Sequence, residues 1–212
     1  MQMGFNTIQD GHPLVVYAFL SLIINLIDSF PKIMIRNYLK EIITIINSSL
    51  KINLKTVQSN SYLLTLLDNI ENKSNLFIPY IQSLFDSLIE MIVKISDKEN
   101  ISNFLSAIVY ITLLDSNQAG NNYDKINQMI NILFPKCIDE STGEIKGKLI
   151  ELMSIYHSNV NIQCFNNIKE IIYNTMVNLF NQNDYISDPC LSHVIASVSR
   201  LCDGKLRINP QY

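Results

Sequence analysis

The chain has 212 residues, of which 48% are hydrophobic and 17% charged, a composition that excludes an intrinsically disordered protein. Its net charge of −3 and pI of about 5.6 argue against nucleic-acid binding by the whole surface, which usually needs a basic excess. The four cysteines are far apart and form no Cys-x-x-Cys pair. This usage predicts free thiols in a reducing compartment, so we expect an intracellular protein, cytoplasmic or nuclear.

The first long apolar segment runs from Leu14 to Ile27 and carries no charge, but it includes Ser21 and Asn25. It is shorter than the roughly 18 to 20 apolar residues that span a bilayer. The residues before it lack the basic start of a signal peptide. We therefore predict a buried core helix and no membrane span, preceded by a flexible N-terminal segment over residues 1–11.

Apolar residues then recur at the spacing of helix faces along the rest of the chain. No Asn-Gly or Asp-Gly turn separates alternating, strand-like runs, so the fold class is all-α. Pro31 is placed in the first turn of the second helix, Ser96 at a cap or turn, and Asp188 at the N-cap of the last helix before Pro189. The pattern predicts nine helices, near 12–29, 31–50, 59–72, 76–96, 99–117, 123–138, 145–158, 161–182 and 189–203.

These helices form pairs whose first members begin near residues 12, 59, 99, 145 and 189. The resulting period of about 40 to 47 residues is typical of HEAT and armadillo units. A pair cannot bury its apolar face alone, so neighbouring pairs must stack. We therefore predict an α-solenoid of about four to five stacked antiparallel helix pairs over 12–203, with a C-terminal tail over 204–212.

Two phrases at predicted second helices resemble HEAT repeats. They run from Phe30 to Leu39 and from Phe77 to Phe85, and in each an early proline is followed by a ladder of aliphatic residues. The resemblance covers most of 12–203 and is one of pattern, because the Asp and Arg of the strict motif are only patchily present; Arg36 is one candidate. A more divergent helical repeat is the alternative. The resemblance implies a non-enzymatic scaffold that binds other proteins.

Similar phrases are found in importin-β-like transport receptors and in the large HEAT-repeat scaffold of the small-subunit processome, which acts in ribosome assembly. The segment from Phe19 to Tyr38, two helices joined through Ser29, Phe30 and Pro31, resembles the latter. The resemblance thus implies three alternatives. They are a general protein-interaction scaffold, a ribosome-assembly scaffold that contacts RNA–protein particles, and a fragment of a nuclear transport receptor or trafficking adaptor.

No residues in the sequence have the spacing of a catalytic or metal centre, so we expect no enzyme activity, cofactor or metal. His193 follows Cys190 by three residues, but two ligands do not make a zinc site. Cys137 falls near an apolar helix face, where cysteine behaves as a small hydrophobic residue. The carboxylates of Asp86 and Glu90 are one turn apart, but Lys94 makes an ordinary ion pair with Glu90 the simpler expectation. His12 and His157 have no other histidine, cysteine or acid at a metal-ligand spacing. Cys164, like Cys137, falls in or near an apolar helix face.

The candidate binding residues are Lys32, Arg36 and Lys40, here called the basic stripe. They recur every four residues along the second predicted helix and so share one outward row. Such a row suits an acidic peptide or RNA phosphate, and an ordinary solvated face is the alternative. The expected partners are other proteins, with nucleic acid as an alternative against which the net charge argues.

The ninth predicted helix has no partner in this pairing scheme, and the first is among the most apolar. A solenoid normally caps its ends with polar faces. We therefore expect the chain to belong to a longer solenoid or to pack its ends against a partner in a larger complex.

Overall fold

The structure, a computed structural model, describes residues 13–51, 80–114, 120–137, 142–159, 165–182 and 184–202. The sequence predicts one repeat domain over 12–203. In the structure, the chain divides into two compact units, Met1–Leu114 and Asp115–Tyr212. Every regular element in the described ranges is helical and none is a strand, which confirms the all-α class. The helix predicted at 59–72, the N-terminal segment 1–11 and the tail 204–212 lie outside the described residues.

The described part of the first unit contains helices α1 (Pro13–Ser29), α2 (Lys32–Arg36), α3 (Leu39–Lys51), α4 (Ile81–Ile92) and α5 (Lys98–Leu114). Helix α4 packs against both α3 and α5. It is amphipathic as predicted, because Leu84, Leu88 and Ile92 are buried while the predicted pair of Glu90 and Lys94 forms on the exposed side at 2.8 Å. Burial of this apolar face holds the unit together.

The prediction of one continuous helix over 31–50 is wrong, because a turn at Asn37 and Tyr38 separates α2 from α3. The Tyr38 N–H donates to the Ile35 carbonyl oxygen at 2.9 Å, an i to i−3 bond that tightens the chain. An asparagine amide competes with the helical backbone for hydrogen bonds, which favours a break at this position. Pro31 is the residue that precedes α2 rather than part of its first turn.

The second unit contains, in its described ranges, helices α6 (Tyr123–Leu133), α7 (Gly143–Asn159), α8 (Ile168–Phe180) and α9 (Pro189–Cys202). Short 3-10 turns lie at Gly120–Asn122, Phe134–Lys136 and Tyr185–Ser187. Helix α7 is buried around its circumference, since Leu152, Met153, Ile155 and Tyr156 are each at most 2% exposed. Helix α7 is therefore the centre of this unit, although it also carries the buried Lys148, which pairs with Glu144 at 2.6 Å.

Two helix starts show how local hydrogen bonds set the boundaries. The Cys190 N–H donates to Asp188 Oδ1 at 2.8 Å, which confirms the N-cap predicted for the last helix. At α5 the cap is Asp97 rather than Ser96, because the Asn100 N–H donates to Asp97 Oδ1 at 2.9 Å. A carboxylate at this position also interacts favourably with the positive end of the helix dipole.

The most extensive helix contact among the described residues of the second unit joins α7 to α9, not to α8, its predicted pair partner. At Gly147 the two backbones approach closely. A Cβ added there would lie 3.0 Å from the Cβ of His193 and 3.1 Å from the Cα of Cys190. Nine in ten real Cβ contacts are longer than this, so a side chain at this position would push its neighbours back by a few tenths of an ångström, and glycine avoids that displacement.

We expect Gly147→Ala to lower the free energy of unfolding by about 1 to 3 kcal/mol, since the added methyl group forces α7 and α9 apart. The loss should outweigh the gain in helix propensity, which is about 0.5 to 1 kcal/mol. Urea unfolding followed by circular dichroism measures the difference. Ser158→Ala, at an exposed position of α7, is the control and should change little. A Gly147→Ala protein that is more stable than the parent would contradict the close-crossing argument.

Candidate binding surfaces

The basic stripe is only partly described. Arg36 and Lys40 are exposed, and neither forms an ion pair with another described residue. Lys32 begins α2, but its side chain lies outside the described residues. The turn at Asn37 and Tyr38 separates Arg36, on α2, from Lys40, on α3. The spacing of a single helix therefore does not place these two side chains in one row. The structure therefore retains two exposed cations in this segment.

An apolar groove of about 460 Å³ lies between α1 and the segment that contains α2 and the start of α3. It is called the α1–α3 groove below. Phe30, Met34 and Tyr38 line it and are 42%, 52% and 52% exposed, respectively. Its other described lining residues are Ile23, Leu26, Ile27, Ile35, Asn37 and Ile42. An exposed apolar patch of this kind usually marks a contact surface.

The sequence contains a signal for this groove in the spacing of its exposed apolar residues. Phe30, Met34 and Tyr38 recur every four residues in the sequence, and all three line the groove although only Met34 lies within α2. Ile35, Leu39 and Ile42 are buried, whereas Phe30, Met34 and Tyr38 are exposed. The three exposed side chains remain available for another contact.

A polar cluster joins α7 to α9. His193 Nδ1 lies 2.8 Å from Glu151 Oε2, and one nitrogen of the Arg200 guanidinium lies 3.6 Å from Glu151 Oε1. The other guanidinium nitrogen donates to Ser154 Oγ at 3.2 Å, and that hydroxyl donates to the Glu151 carbonyl oxygen at 2.7 Å. The three side chains of this cluster are less than a quarter exposed, so little water screens the attraction between them.

The balance of charges in this cluster favours an ionised Glu151. Burial alone would raise the pKa of Glu151. The hydrogen bond and charge of His193, together with Arg200, outweigh burial and hold the pKa below its ordinary value of 4.5. A carboxylate that orients a histidine resembles part of a catalytic triad, but a triad also needs an activated nucleophile. Burial raises the pKa of the nearby Cys190 thiol to about 11, so this sulfur stays protonated at neutral pH. We therefore interpret the cluster as a link between α7 and α9.

A second pocket, of about 540 Å³, lies within the second unit and is called the amide pocket below. Its floor includes Ile130 and Met153, both buried. The ring centroids of Tyr123 and Phe165 at its wall are 5.6 Å apart, in an edge-to-face arrangement. Its remaining described lining residues are Asn127, Asn131, Phe134, Pro135, Asn166, Asn167 and Ile171. Phe165 has φ of 52°, a left-handed conformation that costs a non-glycine residue about 1 to 3 kcal/mol.

Across the described ranges, no three or more His, Cys, Asp and Glu side chains converge in a way that would hold a metal ion. In the same ranges no helix combines the length and apolarity needed to cross a bilayer. Within the apolar segment from Leu14 to Ile27, Ile23 and Ile27 are buried as predicted for a core helix, whereas Leu22 is 52% exposed, so α1 buries one face. His12 and Cys164 lie outside the described residues.

Comparison with protein-family models, with curated proteins and with solved structures finds no match for this chain. The resemblance to HEAT repeats therefore stays a hypothesis drawn from the sequence pattern. Function has to be argued from the surfaces of the two units themselves.

We expect Glu151→Gln to lower the free energy of unfolding by about 1 to 3 kcal/mol at neutral pH, because it removes the charge that His193 and Arg200 bind. Since the folded pKa of Glu151 is depressed, its stabilising contribution is present above 4.5 and is lost as the pH falls through the folded value. The difference between parent and variant should therefore shrink at acid pH. Chemical unfolding across a pH series measures this difference.

The matched control is Asp184→Asn, which changes an exposed carboxylate of the same unit that makes no cap hydrogen bond. This variant should follow the parent at every pH. A Glu151→Gln difference that stayed constant from neutral to acid pH would show that the carboxylate charge contributes nothing to the α7–α9 contact.

Proposed function

We propose that the protein is a non-enzymatic protein-interaction scaffold built from HEAT-like helix pairs. Its contact surface in the first unit is the α1–α3 groove. The observation that carries this proposal is the exposure of Phe30, Met34 and Tyr38 beside a cavity with almost entirely apolar walls. Monomeric domains seldom leave large apolar side chains clustered at the surface unless a partner covers them.

The partner that fits the groove is the apolar face of an amphipathic helix. A groove between two helical segments accepts side chains that recur at i, i+4 and i+7 on a third helix. Met34 is unbranched and adapts its shape to such side chains. Asn37 supplies one amide within the groove, suited to a polar atom at the edge of the partner's apolar face.

The solenoid part of the proposal draws support from helix packing in the second unit. Helix α7 is buried on all sides, as expected for a helix that meets both its own partner and the next repeat. Its broadest described contact is with α9, the predicted first helix of the following pair. Stacked repeats place successive first helices side by side. A transport receptor or trafficking adaptor would be one form of such a scaffold.

A ribosome-assembly scaffold that contacts RNA–protein particles is the second candidate. The exposed Arg36 and Lys40 favour it, since neither is neutralised by a described acidic residue. The net charge of −3 argues against a large nucleic-acid interface. Two or three cations would add only a modest, salt-sensitive contact to phosphate.

We expect a designed amphipathic peptide helix with leucine at i, i+4 and i+7 to bind the protein, and Met34→Glu to weaken it at least about tenfold. A charge placed in the groove would be desolvated by the bound leucines, which opposes binding. Fluorescence anisotropy of the labelled peptide measures the affinity. The same peptide with serine in place of leucine should not bind.

The control variant is Leu113→Glu, because Leu113 is exposed in the same unit but does not line the groove. It should bind the leucine peptide as the parent does. Equal affinity of the Met34→Glu and Leu113→Glu proteins for this peptide would overturn the groove as the contact surface.

If the basic stripe contacts RNA phosphate, replacing Lys32, Arg36 and Lys40 together by alanine should flatten the salt dependence of binding to single-stranded RNA. The slope of log affinity against log salt should fall by about 2, because three phosphate contacts are lost. Filter binding at several salt concentrations measures the slope. Alanine at the exposed Lys98, Lys125 and Lys169 is the matched control. An unchanged slope in the stripe variant would rule out the RNA-binding candidate.

A further inference from the structure

The amide pocket of the second unit is chemically different from the α1–α3 groove. Four asparagines lie on its lining, Asn127 and Asn131 on α6 and Asn166 and Asn167 in the turn before α8. None of their side-chain amides has a hydrogen-bond partner among the described residues. No charged side chain appears in the described lining. Asn127 is half-buried, whereas Asn131, Asn166 and Asn167 are exposed, so the pocket presents neutral donors and acceptors at its rim around an apolar centre.

We propose that the amide pocket binds a nucleobase, either in a free nucleoside or in an unpaired nucleotide of an RNA strand. A base has two apolar faces and one polar edge that carries donors and acceptors in a single plane. The buried Ile130 and Met153 face the centre of the pocket, where a ring face would pack. Tyr123, Phe134 and Phe165 supply aromatic surface on which bases stack.

The polarity of the pocket favours a nucleobase over other ligands of similar size. A volume of about 540 Å³ falls in the range of small-molecule sites. A phosphate or carboxylate would find no cation in the described lining. A sugar has hydroxyl groups around its whole ring and needs more hydrogen-bond partners than a base, which carries its polar atoms along an edge. A planar base needs polar partners only at its edge.

The arrangement of the amides also favours a base over an extended peptide. A peptide backbone repeats its polar groups along a line and is matched by a row of amides along one surface. Here two amides come from α6 and two from a separate turn, so they surround one pocket. Asparagine pairs with adenine through two hydrogen bonds, which makes adenine the expected base.

The backbone at Phe165 adds a second, independent feature of this site. Phe165 is the described non-glycine residue with positive φ, at 52°, immediately before the two asparagines of the turn. Backbone strain of this kind persists only where surrounding contacts hold it, and it is frequent at binding sites. Here it accompanies the edge-to-face contact of Phe165 with Tyr123, which fixes one wall of the pocket.

The test is equilibrium dialysis of the whole protein with adenosine, uridine and ribose, and with a short single-stranded oligoadenylate. We expect adenosine to bind with Kd below about 1 mM, ahead of uridine, and ribose not to bind. Asn127→Ala with Asn131→Ala should weaken adenosine or oligoadenylate binding at least about tenfold. The control changes Asn174 and Asn178 to alanine, an equally spaced exposed pair on α8 outside the pocket. Circular dichroism should show that both double variants remain folded.

The two sources of the base give different results. Saturable adenosine binding that does not change with salt identifies a free nucleoside as sufficient. Binding of oligoadenylate alone, lost in the Asn127 and Asn131 variant and weakened by salt, identifies a nucleotide within RNA. Absence of binding to every probe would overturn the proposal, as would equal binding by the two double variants. Preferential binding of N-acetylphenylalaninamide, a peptide mimic, would overturn it in favour of a peptide site.

Discussion

The close approach of α7 and α9 at Gly147 is the contact on which the second unit depends. Without a side chain at that position, the two backbones come near enough for Glu151 to reach His193 and Arg200 across the contact. The ion cluster is partly buried, so its members must stay paired to offset the loss of water. Packing and electrostatics thus reinforce the same helix crossing. The aliphatic residues on the other sides of α7 can then pack against the rest of the unit.

This crossing also explains why α7 is central. The middle of α7 is buried around its circumference, and α9 covers the face that contains Gly147. The buried Cys190 lies at the start of α9, just after the cap formed by Asp188. Its raised pKa follows first from burial and makes it a packing residue at neutral pH. The ionisable residues at the crossing, Glu151, His193 and Arg200, therefore hold α7 and α9 together.

The first unit has a different balance between burial and exposure. Ile35 and Leu39, on either side of the turn that separates α2 from α3, are both buried, so the core accommodates the break. The exposed apolar side chains of Phe30, Met34 and Tyr38 remain outside the core and line the α1–α3 groove. Exposed apolar surface promotes aggregation unless a partner covers it. This is the physical basis for proposing a protein partner. The amide pocket of the second unit has polar amides at its edge, a chemistry suited to a smaller ligand.

Several features were determined by the sequence alone. The 3.6-residue spacing of apolar residues predicts helices because each helix must bury one face, and it correctly located α1, α4, α5, α7 and α9 to within a few residues. The cap at Asp188 and the ion pair of Glu90 with Lys94 were also predictable, since both depend on residues within one or two turns. Local interactions of this kind are encoded by neighbours in the chain.

Only the tertiary structure decided the features that join distant residues. Glu151 and His193 are 42 positions apart, and no spacing rule reports that α9 crosses α7 there. The break at Asn37 was missed because apolar periodicity continues through it. The two pockets were missed for a related reason, since periodicity shows that a residue is apolar but not whether a neighbour covers it. Coverage depends on how helices pack, and packing brings together surfaces from separate parts of the chain.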